Sequence, residues 1–100
     1  MSRNDVTLSG VVTKSEPLRY TPAGIPMWSF VLSHASRQLE AKHEREVKLD
    51  QPVLVLGELA SEMASLQQEQ AIVVRGFLSR RSPKSLAVVL HATAYKIELE

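Results

Sequence analysis

The chain has 100 residues, of which 44% are hydrophobic and 23% are charged, the size and composition of a soluble globular domain rather than of a disordered chain. It contains no cysteine, which excludes disulfides, thiol nucleophiles and thiolate metal sites. The formal net charge is +1, so any attraction to a polyanion must come from the distribution of the charges and not from their sum.

Two strands joined by a loop are predicted over the first third of the chain. Residues 6–14 are rich in β-branched side chains, which favours a strand. Residues 16–26 contain three prolines and are predicted to be loop. Residues 27–34 alternate between apolar and polar side chains, which predicts a second strand with one face in the core. The core-facing residues of that strand are Trp28, Phe30 and Leu32.

A polar connection and a third strand follow. Residues 36–46 are polar and charged, which predicts a flexible hairpin connection. Residues 47–50 and 53–56 are extended in character and are separated by Pro52, so we predict a third strand with a break at the proline.

The periodicity changes from that of a strand to that of a helix over residues 58–69. Leu59, Met63 and Leu66 recur at i, i+4 and i+7 among alanine, glutamate and glutamine. This spacing predicts one amphipathic helix of about three turns whose apolar stripe packs against the core.

Two further strands complete the predicted set. Residues 71–79 form the fourth strand, residues 80–85 a basic loop and residues 86–99 the fifth strand. In the fifth strand the apolar residues change parity near Thr93, which indicates a β-bulge.

The order of these elements is typical of one known barrel. A helix between the third and fourth strands of a five-stranded sheet is expected of an OB fold. We therefore predict a mainly all-β chain in which residues 1–100 form one OB-fold domain, although a mixed α+β sandwich can share the same order.

Basic and acidic side chains occupy different parts of the sequence. Residues 38–69 carry seven acidic side chains and three basic ones, whereas residues 70–97 carry five basic ones and no acidic one. Residues 17–37 add Arg19 and Arg37, again without an acidic residue. One face of a nearly neutral molecule can therefore meet a polyanion.

Six short segments occur in the order and at the spacing of a known family. They are Leu8-Ser9-Gly10, Pro17-Leu18-Arg19, Pro22-Ala23-Gly24-Ile25-Pro26, Phe30-Val31-Leu32, Val74-Arg75-Gly76-Phe77-Leu78-Ser79 and Val89-Leu90-His91-Ala92. Over nearly its whole length the chain resembles the primosomal replication protein N family, relatives of bacterial single-stranded DNA-binding protein. The resemblance implies an OB-fold homodimer that binds single-stranded DNA, joins a primosomal helicase at stalled forks and has no catalytic activity.

The sequence departs from the family pattern at several binding positions. The family has a lysine after the Pro-Leu-Arg triplet, where this chain has Tyr20, and an arginine after the second-strand histidine, where it has Ala35. His43 and Lys48 replace stacking aromatics between the second and third strands, and Ala87 replaces a lysine beyond the basic loop. Because stacking is depleted, we expect weaker DNA binding than that of better-known relatives.

The basic loop is the best candidate for contact with phosphates. Guanidinium groups bind phosphate bidentately, lysine binds it as a point charge, and no acidic residue is near in the sequence. The candidate nucleic-acid contacts are Tyr20, Arg37, His43, Lys48, Phe77, Arg80, Arg81 and Lys84.

Both aromatic candidates have a second interpretation. Tyr20 either stacks on a base or covers the mouth of the barrel beside Pro22. Phe77 shares the parity of Arg75 and Ser79, which places it either on the binding face or in a dimer interface.

Two other binding functions compete with this one. A protein-interaction adaptor whose main partner is the helicase is favoured by the lost aromatics and the small net charge. A cold-shock-like RNA-binding barrel would rely on clustered surface aromatics, and the chain has five aromatic residues in total.

The sequence predicts no enzyme, no cofactor and no metal site. It has no phosphate-cradling glycine loop, no His-x-x-x-His pair and no Gly-x-Ser-x-Gly elbow. His34, His43 and His91 are far apart, without carboxylates at ligand spacing. Apolar runs such as residues 86–90 are too short for a bilayer, and residues 1–5 lack the apolar stretch of a signal peptide, so we expect a cytoplasmic protein.

Overall fold

Strands account for most of residues 1–98, the part of the chain that the computed structural model describes. The strands are β1 (Val6–Thr13), β2 (Arg19–Tyr20), β3 (Pro26–Glu40), β4 (His43–Leu56), β5 (Ala71–Arg80) and β6 (Val88–Ile97), and the helix α1 is Glu58–Met63. Within these residues no helix has the length and apolar character that a membrane span requires. Leu99, in the predicted fifth strand, lies outside the described residues.

The sheet closes on itself. Strands β1, β5, β6, β4 and β3 pair in that order, and β1 also pairs with β3. In the closing pair, Val12 lies opposite Leu32 in an antiparallel register. The only parallel pair within residues 1–98 joins β4 to β6, with Val53 opposite Leu90. The result is the closed, OB-like, five-stranded barrel that the sequence predicts.

The inward-facing side chains of the barrel form the core. Trp28, Phe30 and Leu32 are each at most 2% exposed, which confirms their predicted role. The rings of Trp28 and Phe30 stack with centroids 4.6 Å apart, so the barrel interior is filled by aromatic as well as aliphatic groups. The other buried residues are Val12, Val53, Val55, Ala60, Met63, Ile72, Val74, Leu90 and Ala92.

The helix follows the fourth strand and not the third, which corrects the predicted order. The extra strand is β2, whose two residues pair with Met27 and Pro26 of β3. A turn holds this pairing, since Thr21 donates its N–H to the Ile25 carbonyl at 2.9 Å. Two residues are too few to show an alternating pattern, so β2 could not be predicted from the sequence.

The α-helix is also shorter than predicted, since it ends at Met63 instead of residue 69. Beyond it, Glu69 adopts a positive φ of 68° and donates its N–H to the Val12 carbonyl at 2.7 Å. Because β1 supplies this hydrogen bond, the segment does not need to stay helical. Leu66 still packs against the core, so the apolar stripe is as predicted although its backbone is not helical throughout.

A long hairpin replaces the flexible connection predicted over residues 36–46. β3 and β4 stay paired to the tip, where Glu40 lies opposite His43. The turn residues Ala41 and Lys42 have φ of 51° and 67°, the left-handed conformation of a tight two-residue hairpin turn. The predicted break at Pro52 is absent as well, because β4 continues through this residue, which pairs with Val31 of β3. The next two residues of β4 pair with β6.

A bulge in β6 confirms the predicted change of parity. Arg75 lies opposite Ala94 and Gly76 opposite Ala92, so Thr93 is left as an extra residue. In a regular strand, residues an odd number of positions apart face opposite sides of the sheet. Because of the extra residue, His91 and Lys96 both face outward.

Candidate nucleic-acid interface

A groove of about 550 Å³ crosses the outer surface of the barrel. Its floor consists of outward-facing residues of β3, β4 and β6, which alternate with the buried core positions. These floor residues include Val31, Pro52, Leu54 and Val89. An apolar floor between strands is a surface on which flat, uncharged rings can lie.

Positive charge stands at both ends of this groove. Lys14, which follows β1, lines one end together with Glu16, and Arg80 and Arg81, at the end of β5, line the other. The strand registers fix this arrangement, because β1 and β5 flank β3, β4 and β6 in the closed barrel. The two ends differ, since only the Lys14 end holds a carboxylate.

An aromatic pair lies beside the groove. Phe77 of β5 is the register partner of His91 of β6, and their ring planes are 5° apart with centroids separated by 5.0 Å. Phe77 is 40% exposed, so its ring stands on the outer surface. His91 in turn lies opposite Leu54, which makes the pair continuous with the groove floor.

The predicted basic loop adjoins the groove. Arg80, Arg81 and Lys84 are all exposed, and the Arg81 N–H donates to the Ala87 carbonyl at 3.0 Å, which closes the loop. The guanidinium of Arg80 donates to the Pro83 carbonyl at 3.0 Å. The ion pairs formed within residues 1–98 do not include these three cations, so their charges remain available to a ligand.

Three other candidates lie on the projecting hairpin and not at the groove. Lys48 is four residues from Pro52, or about 13 Å along the strand, and its Nζ is 3.4 Å from the Glu46 carboxylate. Arg37 lies opposite Glu46, and His43 lies opposite Glu40. Each of the three therefore has a carboxylate nearby, which opposes contact with phosphate.

Tyr20 lies apart from both the groove residues and the hairpin residues. It lies on β2 and pairs with Pro26, and it is 63% exposed. Tyr20 therefore lies largely open to solvent.

Several groove residues were absent from the sequence-based set, namely Lys14, Leu54 and His91. Leu54 has the parity opposite to the buried Val53 and Val55, a signal that was available in the sequence. The contact between His91 and Phe77 was not predictable, because it depends on a register shifted by the bulge.

His34 has a structural role. His34 Nδ1 is 2.7 Å from the Ser9 carbonyl oxygen, and its Nε2 is 2.8 Å from Ser36 Oγ. Since a carbonyl oxygen only accepts, Nδ1 donates and ties β3 to β1. Residues 1–98 contain no group of three or more histidine, aspartate or glutamate side chains arranged to hold a metal ion.

Comparison with known proteins places this geometry in a family. Residues 4–94 match the model of a single-strand binding protein family. The replication restart protein PriB of Neisseria gonorrhoeae is 39% identical over 87 residues, which cover 87% of this chain and 86% of that protein. The PriB of Nitrosomonas europaea is 31% identical over 97% of this chain and 90% of its own length. The solved structure of PriB from Ralstonia solanacearum has a TM-score of 0.86 at 28% identity, with 98% of this chain and 100% of that one covered.

Proposed function

The chain belongs to the single-strand binding protein family, and from this premise we propose that it binds single-stranded DNA during replication restart. The observation that carries the proposal is the apolar groove that ends at Arg80 and Arg81. These two cations and Lys84 of the same loop are exposed and form no ion pair within residues 1–98. Bases lie on the groove floor and beside Phe77, and the loop cations bind the phosphates.

The role in replication restart is supported by the relatives. Two proteins at least 31% identical to this chain are replication restart proteins. Contact with a primosomal helicase is part of the same proposal and rests on the family resemblance alone. A pull-down of the purified helicase with this protein, with and without oligonucleotide, tests that contact directly.

A homodimer completes the proposal, and the free edge of β1 supports it. β1 pairs with β5 along residues 6–11 but with β3 only along residues 11–13. Ser9 and Gly10 lie against β3, at His34 and Ser33, so the second edge is unpaired within the described chain along residues 6–8, and a second copy can pair with it there. Sedimentation equilibrium should give about twice the monomer mass of 11.1 kDa, and a species that stays monomeric at all concentrations would exclude the dimer.

A salt titration tests the DNA-binding proposal. The triple variant Arg80→Ala, Arg81→Ala, Lys84→Ala should bind a labelled thymine oligonucleotide more weakly than the wild type. Because each phosphate contact to a single strand contributes about 0.7 to the log–log salt slope, the slope should fall by about 2.

A matched triple variant on the hairpin controls for the loss of three positive charges. Arg37→Ala, Lys42→Asn and Lys48→Ala remove the same formal charge, and asparagine tolerates the positive φ of residue 42. The salt slope of this control variant should stay close to that of the wild type. Equal losses in the two triple variants would show that net charge and not the loop drives binding.

A second candidate function is an adaptor that binds the helicase with only weak contact to nucleic acid. The ion pairs of the hairpin favour it, since Arg45 Nη1 lies 2.7 Å from Glu40 and Lys48 lies 3.4 Å from Glu46. Comparing oligonucleotide and helicase affinities at physiological salt separates the two, because an adaptor binds the helicase and not the oligonucleotide.

A further inference from the structure

Two exposed cations lie outside the groove on the outer face of β5 and β6. Arg75 of β5 lies between Thr7 of β1 and Ala94 of β6. Both neighbours are small, so the arginine side chain is the largest group in its row. Lys96 of β6 lies opposite Val73, in the next outward-facing row.

These two cations have no carboxylate partner among the described residues. Arg75 and Lys96 are both exposed and are absent from the ion pairs formed within residues 1–98. Asp5 shares a shallow depression with Arg75, but its carboxylate is 3.7 Å from the Arg3 guanidinium. Arg75 therefore keeps its charge available to a ligand.

The strand geometry aligns these cations with the aromatic pair and the basic loop. Outward-facing positions of β5 alternate, so Arg75, Phe77 and Ser79 point the same way, and Arg81 follows just beyond the strand. Six residues of extended chain place Arg75 about 20 Å from Arg81. The stacked rings of Phe77 and His91 lie between the two arginines.

Cations that flank stacked aromatic rings match the chemistry of a single strand, which offers phosphates at intervals with flat bases between them. An acidic protein surface would not use the intervening rings in this way. The Thr93 bulge contributes to the alignment, because it turns Lys96 onto the face that carries Arg75.

We infer that Arg75 and Lys96 are phosphate contacts of a second track, which leads the single-stranded DNA from the basic loop past Phe77 and along the outer face of β5 and β6. This inference rests on the proposed DNA-binding function and specifies the path of the strand. It adds two residues to the binding surface and accounts for a basic segment from which acidic residues are absent.

The double variant Arg75→Ala, Lys96→Ala tests the track in the same oligonucleotide titration. Its salt slope should fall by about 1.4, which corresponds to two lost phosphate contacts. The charge-preserving double variant Arg75→Lys, Lys96→Arg should keep the slope of the wild type. Both positions are exposed, and a thermal melt verifies that each variant is folded.

A control double variant removes two cations that lie off the track. Arg19→Ala and Lys42→Asn change the net charge by the same amount, on β2 and on the hairpin tip. The second track is wrong, and the proposed function stands, if two results are obtained together. The salt slope of the Arg75 and Lys96 variant falls no further than that of this control, and the salt slope of the loop triple variant falls further. If the wild type itself shows no salt-dependent oligonucleotide binding, both are wrong.

Discussion

Phe77 and His91 lie on neighbouring strands with their rings nearly parallel, 5° apart in plane and 5.0 Å between centroids. The imidazole supports the phenyl ring from one side and leaves it 40% exposed. An aromatic ring held in one orientation loses little entropy when a base stacks on it. The pair therefore has the preorganised geometry that the proposed stacking of a base requires.

Replacing Phe77 with leucine should weaken oligonucleotide binding without changing its salt dependence. Loss of one stacked base costs about 1–3 kcal/mol, whereas no charge is removed. Fluorescence polarisation across a salt series measures both quantities. Phe77→Tyr keeps the ring and should retain most of the affinity, so an equal loss in the leucine and tyrosine variants would contradict a stacking role.

A carboxylate on the groove floor should repel the DNA backbone. Leu54→Glu places a negative charge between the two ends of the groove, so the affinity should fall, and most steeply at low salt where screening is weakest. Leu56→Glu is the control, because residue 56 lies on the same strand with the same parity but does not line the groove. If the two variants bind equally, the groove is not the binding site.

Gly76 should not tolerate a side chain. An added Cβ would collide with the carbonyl oxygen of His91 and approach Ala92, so β5 and β6 would have to separate next to the bulge. Gly76→Ala should lower the free energy of unfolding by about 1–3 kcal/mol, measured by urea denaturation. Ser79→Ala on the exposed part of the same strand should change it by less than about 0.5 kcal/mol.

Stability should fall in strong alkali partly through Tyr95. Burial raises the pKa of the Tyr95 hydroxyl, and the neighbouring Glu62 carboxylate raises it further. The folded state therefore holds this proton more tightly than the unfolded state, whose tyrosine titrates near pH 10. The stabilisation is complete below about pH 10 and is lost as the pH rises through the higher folded pKa.

Urea unfolding between about pH 9 and pH 12 tests this linkage around the unfolded tyrosine pKa. The wild type should lose more stability over that interval than Tyr95→Phe, which has no proton to release. Glu62→Gln should give an intermediate dependence, since it removes the carboxylate but keeps the burial. Identical pH profiles for the wild type and Tyr95→Phe would refute the assignment.

Alternating hydrophobicity made the barrel predictable. Trp28, Phe30 and Leu32 could be assigned to the core because every second residue of a half-buried strand faces inward. The hairpin beyond the barrel could not be recognised in this way. Around Arg37 and Glu46 neither face is buried in the core, so the pairing depends on backbone hydrogen bonds that leave no pattern in side-chain polarity.

The candidate binding surface could be recognised from the sequence only in part. Arg80, Arg81 and Lys84 lie within five residues of sequence, so the charge pattern was enough to propose them as one basic segment. The contact between Phe77 and His91 joins residues on different strands, and its register depends on where the bulge lies. Alternation within one strand carries no information about its partner's register.

The extra residue at Thr93 makes β6 tolerant at that position of a change in length as well as of a change in side chain. Thr93 is exposed, and its hydroxyl donates to the Arg75 carbonyl at 3.3 Å, so many substitutions there leave the strand path unchanged. Losing this one codon would join Ala92 directly to Ala94, and because these two residues already pair with Gly76 and Arg75, the Tyr95 phenol would still face the barrel and the Lys96 ammonium would still face water. Mutational drift can therefore alter or even remove this position, whereas losing a residue beyond the bulge would reverse the facing of those that follow it.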